Sequence, residues 1–221
     1  RKKVLKELKD RKLLPLTTDS KKLPILARLV GFISGDGWIG SYYSKKRKMN
    51  IWSTRVIGRE EDLEEIKKDL RELGYDIEYV RTSRYFSKIT DSCGKKRKID
   101  GHSTQLHIGS QSLSILLHAL GVPKGNKSRT RLFVPDWIKK SPLWLKRLYL
   151  AGLFGAELTK PLQRKNEPFN FIEPSFSQNK INSLELDNMN FLLEVINLLA
   201  DFEVVVNKIY RQNGVINSYG E

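Results

Sequence analysis

The chain has 221 residues, 39% of them apolar, which suits one large domain or two small ones with a buried core. No run approaches the roughly 18 uninterrupted apolar residues of a membrane span, which argues against a transmembrane protein. Lys and Arg number 40 against 25 Asp and Glu, for a formal charge of +15, and the lone Cys93 excludes a disulfide-stapled scaffold or a thiolate zinc site. His102, His107 and His118 do not pair at metal-ligand spacing. The chain opens at Arg1 with no Met and no signal-type segment, so a few residues are expected to be missing. An intracellular protein, in a prokaryotic cytoplasm or an organelle, is expected.

The predicted elements run as follows. A basic helix over 1–12 carries Val4, Leu5, Leu8 and Leu13 in one stripe. A second, apolar nearly all round, starts at Leu23-Pro24 and stops at Gly35-Asp36-Gly37, which marks it as buried. Strands are predicted over 38–44 and 49–57, then a helix over 60–73 capped by Gly74, strands over 76–86 and 103–108, and a helix over 110–120 ending at Gly121. Ser103, Gln105 and His107 alternate with Thr104, Leu106 and Ile108, one polar face and one apolar. The order then restarts. A short helix opens at Val134-Pro135, another runs from Pro142 to Ala156, strands are predicted over 162–169 and 171–177, then a helix over 183–199 and a strand over 203–209. The second unit lacks most of its last strand and its closing helix, which reads as a C-terminally shortened copy.

A surplus of fifteen cations calls for a polyanion. Nucleic acid is favoured over an anionic membrane surface, because only the first helix is both basic and amphipathic. Elsewhere the cations cluster in predicted turns: Lys45-Lys46-Arg47-Lys48, Lys95-Lys96-Arg97-Lys98, and Lys124 through Arg131. Such turns reach phosphates. Arg55, Arg81, Ser83, Tyr85, Gln105, His107 and Ser175 sit on predicted polar strand faces, where side chains read base edges.

The two long apolar helices align as Leu29-Val30-Gly31-Phe32-Ile33-Ser34-Gly35-Asp36 and Leu150-Ala151-Gly152-Leu153-Phe154-Gly155-Ala156-Glu157. Gly31 and Gly35 in one, and Gly152 and Ala156 in the other, put small residues four apart on one face, which lets two helix backbones approach closely. Side by side, the helices would bring Asp36 and Glu157 together, and a hard divalent ion relieves the repulsion between two such carboxylates.

These residues resemble the LAGLIDADG homing endonucleases, in the monomeric form with two motif copies in one chain, and the resemblance covers nearly everything from Leu23 to Glu221. It implies a pseudo-twofold α/β (α+β) protein, each half an αββαββα unit whose curved antiparallel sheet lies along the DNA major groove. The halves would span 23–125 and 126–221, after a basic N-terminal segment, 1–22. The implied activity is site-specific double-strand cleavage of a long pseudo-palindromic or asymmetric DNA site, with Mg²⁺ as the metal and Mn²⁺ as a substitute. By the same resemblance Asp36 and Glu157 are the metal-binding acids, Lys160 organises water and charge, and Gln178 positions solvent. The first half departs from that pattern, with Ile39 in the place of Lys160 and Gly58 near that of Gln178, so unequal cutting of the two strands is expected. The alternative is a non-cleaving binder of the same fold, such as a group I intron RNA maturase or a DNA-binding regulator. An intron-encoded monomer is expected; an intein endonuclease is disfavoured, because no Cys or Ser opens the chain and no His-Asn pair closes it.

Overall fold

The computed structural model describes residues 2–77, 79–90, 96–165 and 167–211. It is a mixed α/β protein with an antiparallel sheet. After α1 (Lys2–Asp10) come α2 (Leu23–Asp36), β1 (Gly37–Ser44), β2 (Met49–Gly58), α3 (Glu60–Glu72), β3 (Val80–Thr90), β4 (Lys96–Ile108) and α4 (Gln111–Ala119). From α2 to α4 this is the expected αββαββα order. A 3-10 turn (Lys127–Arg129) leads to α5 (Asp136–Lys139), α6 (Leu143–Glu157), β5 (Leu162–Arg164), β6 (Glu167–Ile172) and α7 (Glu185–Ala200).

Local chemistry accounts for most boundaries. Pro24 lies in the first turn of α2, where its missing N–H costs nothing, and the Gly37 N–H closes the helix on the Ile33 carbonyl. Glu60, Glu61 and Asp62 favour the positive end of the α3 dipole, and Gly74, at φ +90°, turns the chain out of that helix. The Ser110 hydroxyl accepts the Leu113 N–H to cap α4.

The sheet runs β1-β2-β4-β3, antiparallel throughout. Its inward face contributes Ile39, Val56, Leu106 and Ile108, packed in one core with Leu63 and Leu70 of α3, Leu113 and Leu117 of α4, and Leu26, Leu29, Val30 and Ile33 of α2. Arg28 of α2 makes a two-pronged ion pair with the buried Asp69 of α3. Burial raises the Asp69 pKa, opposed by the Arg28 guanidinium.

The most extensive contact between elements joins α2 to α6. Here glycine is required. A Cβ on Gly31 would overlap the Tyr149 carbonyl oxygen and stand 2.9 Å from the Leu153 nitrogen. One on Gly152 would overlap the Arg28 carbonyl oxygen and stand 2.8 Å from the Phe32 nitrogen. Backbone meets backbone, so no rotamer change could make room.

In the 1–12 segment, Leu8 and Leu13 belong to the main core, Leu5 is exposed, and Arg11 lies 4.4 Å over the Tyr75 ring. Three expectations need correction. Lys96, Arg97 and Lys98 belong to β4, paired with Thr90, Ile89 and Lys88, because the β3–β4 hairpin runs further than the apolar alternation. Lys95 lies outside the described residues. The second-half hairpin turns after Arg164, within the polar stretch that precedes Glu167, so residues expected in the first of two longer strands belong to β6. Residues 203–209 form no strand; three consecutive valines favour extended backbone, but among the described residues no strand pairs with them.

Candidate functional site

The glycine seam ends at the acids. A Cβ on Gly35 would lie 2.5 Å from Ala156 Cβ and 2.9 Å from Glu157 Cγ, so Asp36 and Glu157 finish their helices side by side, both half-buried. Burial raises the Asp36 pKa to about 6, with the Glu157 charge adding to the rise, the Lys127 ammonium opposing it and Asp62 reinforcing it weakly. The two carboxylates therefore repel, as their helix positions implied.

Lys127 escaped the sequence reasoning. It belongs to the Lys124–Arg131 run, expected as one of several cationic turns reaching phosphates, yet burial pulls its pKa down to about 8 against the attraction of Glu157 and Asp36. Lys180 is the second addition. Its pKa is lowered by burial, with Glu157 acting the other way, and its ammonium donates to the Lys127 and Thr130 carbonyls. Only proximity in space distinguishes these two lysines from the other cations of the chain; no spacing in the sequence marks them.

The second-half candidates separate. Leu158 pairs antiparallel with Phe176, and the Thr159 N–H donates to the Ser175 carbonyl at 3.0 Å. From that register the chain runs away from the end of α6 at the exposed Lys160, whereas Gln178, half-buried, lies on the segment that returns toward it. The Asn188 side-chain amide donates to the Gln178 main-chain carbonyl at 3.5 Å.

No further His, Cys, Asp or Glu joins Asp36 and Glu157 in a cluster of three among the described residues. A pair of half-buried, mutually repelling carboxylates still fits Mg²⁺, which binds through one or two carboxylates and completes its shell with water and phosphate oxygens.

The outward face of the sheet forms a second feature. Arg55 pairs with His107 across β2–β4, and Arg81 with Gln105 across β3–β4; with Tyr79 they line one shallow groove. Arg55 also stacks over Trp38 at 5.2 Å. The sequence-predicted readers Arg55, Arg81, Gln105 and His107 are thus brought together. Lys45, Lys46, Arg47 and Lys48 are exposed in the β1–β2 turn, and Lys96, Arg97 and Lys98 are exposed on β4. Ser175 lies apart, tied to Thr159. No helix among the described residues is long and apolar enough to cross a membrane.

Segments of larger proteins share this sequence. The chain is 40% identical over 204 residues to the DNA-directed RNA polymerase subunit Rpo1N of Methanocaldococcus jannaschii, covering 91% of the chain and 14% of that protein. It is 35% identical over 202 residues to the tRNA-splicing ligase RtcB of Methanopyrus kandleri, covering 91% and 19%. It is 34% identical over 203 residues to the replication factor C small subunit of Methanocaldococcus jannaschii, covering 90% and 10%. The chain thus spans under a fifth of the length of each of these three relatives. No protein-family model matches it. Among solved structures, the homing endonuclease I-WcaI bound to its DNA recognition sequence aligns over 68% of this chain and 63% of its own, at 17% identity and a TM-score of 0.34, too loose a superposition to pair individual residues.

Proposed function

We propose that the chain is a site-specific double-strand DNA endonuclease of the LAGLIDADG type, hydrolysing phosphodiesters with Mg²⁺, or with Mn²⁺ in its place. One observation carries the reading: two helices packed through Gly31 and Gly152 end in adjoining carboxylates, one from each half. A divalent ion bound there would polarise a phosphate oxygen and make its water a nucleophile. Asp36 and Glu157 would hold it. Lys127 brings a cation to the same place, suited to the charge that develops on a phosphate in the transition state. Gln178 is the residue we assign to orienting solvent, and Lys160 is left with an outlying role. Arg55, Arg81, Gln105 and His107 would read bases in double-stranded DNA, while the Lys45–Lys48 turn and the cations of β4 grip phosphates.

The test is cleavage of a plasmid library carrying randomised sites in Mg²⁺, followed by Asp36→Asn and Glu157→Gln on the selected site. Each variant is expected to lose at least about 1,000-fold in cleavage while its DNA affinity stays within a few-fold, since removing a metal ligand abolishes the chemistry and spares the sheet. Cutting at the wild-type rate by either variant would refute the assignment. Tight binding of the wild type without cutting would favour the maturase or regulator reading.

A second observation bears on how the module is carried. Some 200 residues recur inside a DNA-directed RNA polymerase subunit, a tRNA-splicing ligase and a replication factor C small subunit, three proteins with different names. We infer a module embedded in longer polypeptides, the intein arrangement, in place of the intron-encoded monomer expected from the sequence. The splicing residues would then belong to flanking chain, and the identities of Arg1 and Glu221 do not bear on the question.

A further inference from the structure

The segment that joins the halves is fastened on both sides. On the first half, the Gly125 N–H donates to the Ile39 carbonyl at 2.8 Å, three residues beyond Asp36, and Lys124 lies 4.4 Å over the Trp52 ring. On the second half, the Ile181 N–H donates to the Ser128 carbonyl at 3.1 Å, and Arg131 pairs with Asp187 at 3.1 Å. Within the segment, the Asn126 side chain accepts from the Ser128 N–H and hydroxyl, and the Thr130 hydroxyl returns to the Asn126 carbonyl at 2.7 Å. The Lys180 ammonium reaches in from the second half and donates to two main-chain carbonyls of the turn, those of Lys127 and Thr130.

The half-buried Lys180 ammonium makes charge-assisted hydrogen bonds to two main-chain carbonyls, which are stronger than bonds between neutral groups and hold the turn in place. These two carbonyls belong to the first residue of the 3-10 turn, Lys127, and to Thr130, which closes it. We propose that Lys180 is a positioning residue: it clamps the segment that joins the halves onto the second half and thereby holds the Lys127 side chain toward Asp36 and Glu157. The clamp rests on the endonuclease reading only for its consequence in catalysis; its mechanical part stands without it.

Two measurements test it. The first is amide hydrogen exchange on the full chain, comparing the wild type with Lys180→Met. Exchange at Arg129, Thr130 and Ile181 is expected to rise at least tenfold while α3 and α4 keep their protection; unchanged rates at those three amides overturn the clamp. Lys180→Leu, which also removes the donor, carries the comparison with the same expected rise should the Met variant fail to fold. The second is single-turnover cleavage of the plasmid site selected by the wild type. Lys180→Met is expected to slow cutting at least tenfold with DNA affinity within threefold, Lys180→Arg to retain at least a third of the rate, and Lys180→Met placed in a Lys127→Met background to slow it no further. Losses that multiply in the double variant overturn the positioning role, because Lys180 would then act independently of Lys127. If the wild type cuts no site, the endonuclease reading fails, and the exchange comparison still decides the clamp.

Discussion

Val56, Leu106 and Ile108 in the first half are fully buried against α3 and α4, whereas Leu162, Phe169, Phe171 and Ile172 in the second half face solvent, Phe169 at 96% exposure. Both halves begin from the same kind of helix and continue into an antiparallel hairpin. They differ in what covers that hairpin. β1 and β2 gain β4 and β3 beside them and two helices behind, while among the described residues β5 pairs with β6 alone. A two-stranded hairpin has little stability of its own, so apolar strand residues become core only where further strands and a helix complete the layer. The second half keeps its order by other means. Phe176 packs against Phe154 and Phe191, at ring separations of 5.7 and 6.3 Å, and Glu194 of α7 accepts the Val134 N–H at 2.7 Å and the Lys139 ammonium at 2.8 Å.

That contrast can be broken at its strongest point first. Phe191→Ala removes a fully buried ring from the second half and is expected to cost about 3–5 kcal/mol by denaturant unfolding. Phe169→Ala, its exposed counterpart on β6, should leave the midpoint unmoved; a comparable loss would mean that the hairpin is covered in solution. Next comes the seam shared by the halves. Gly31→Ala and Gly152→Ala each force a Cβ into backbone and should cost about 1–3 kcal/mol or more in the same assay.

The acids offer a smaller, pH-dependent effect. A carboxyl whose pKa rises from 3.8 to about 6 on folding binds its proton more tightly in the native state, so stability falls as pH climbs from about 4 to 6 and stays lower above. In metal-free buffer Asp36→Asn should therefore melt above the wild type at pH 7–8, by about 1 kcal/mol after allowance for solvent screening, with the advantage gone below about pH 4. A thermal-melt series from pH 3.5 to 8 reads this directly, and a difference independent of pH would show that the repulsion is not what destabilises the site. The smallest effect is Gly155→Ala. Nothing lies within 4 Å of a Cβ there, so only helix propensity acts, and a gain of up to about 1 kcal/mol is expected in the denaturant midpoint.

Much of the site was legible because it is local. The four-residue spacing of Gly31 and Gly35, matched by Gly152 and Ala156, announced a close helix seam, and a carboxylate closing each motif announced convergence. The polar alternation of Gln105 and His107 named two groove residues before the register set Arg81 and Arg55 opposite them. The failures were matters of partnership. Val204, Val205 and Val206 have strand propensity and no described neighbour to pair with, and Lys96–Lys98 resembled a turn until β3 proved long enough to pair with them. Lys127 and Lys180, 53 positions apart, carry nothing that sets them off from the other lysines of the chain.

By itself, then, the sequence determined the order of elements in the first half, the helix ends, the glycine seam and the sign of the surface charge, all of which depend on residues within a turn or two of one another. Tertiary structure alone decided which lysines face the acids, that the N-terminal helix buries Leu8 and docks beside α4, and that among the described residues one hairpin is covered and the other is not. The physical reason is the same in each case: burial and Coulomb interactions depend on distance in space, and a chain specifies distance directly only between near neighbours.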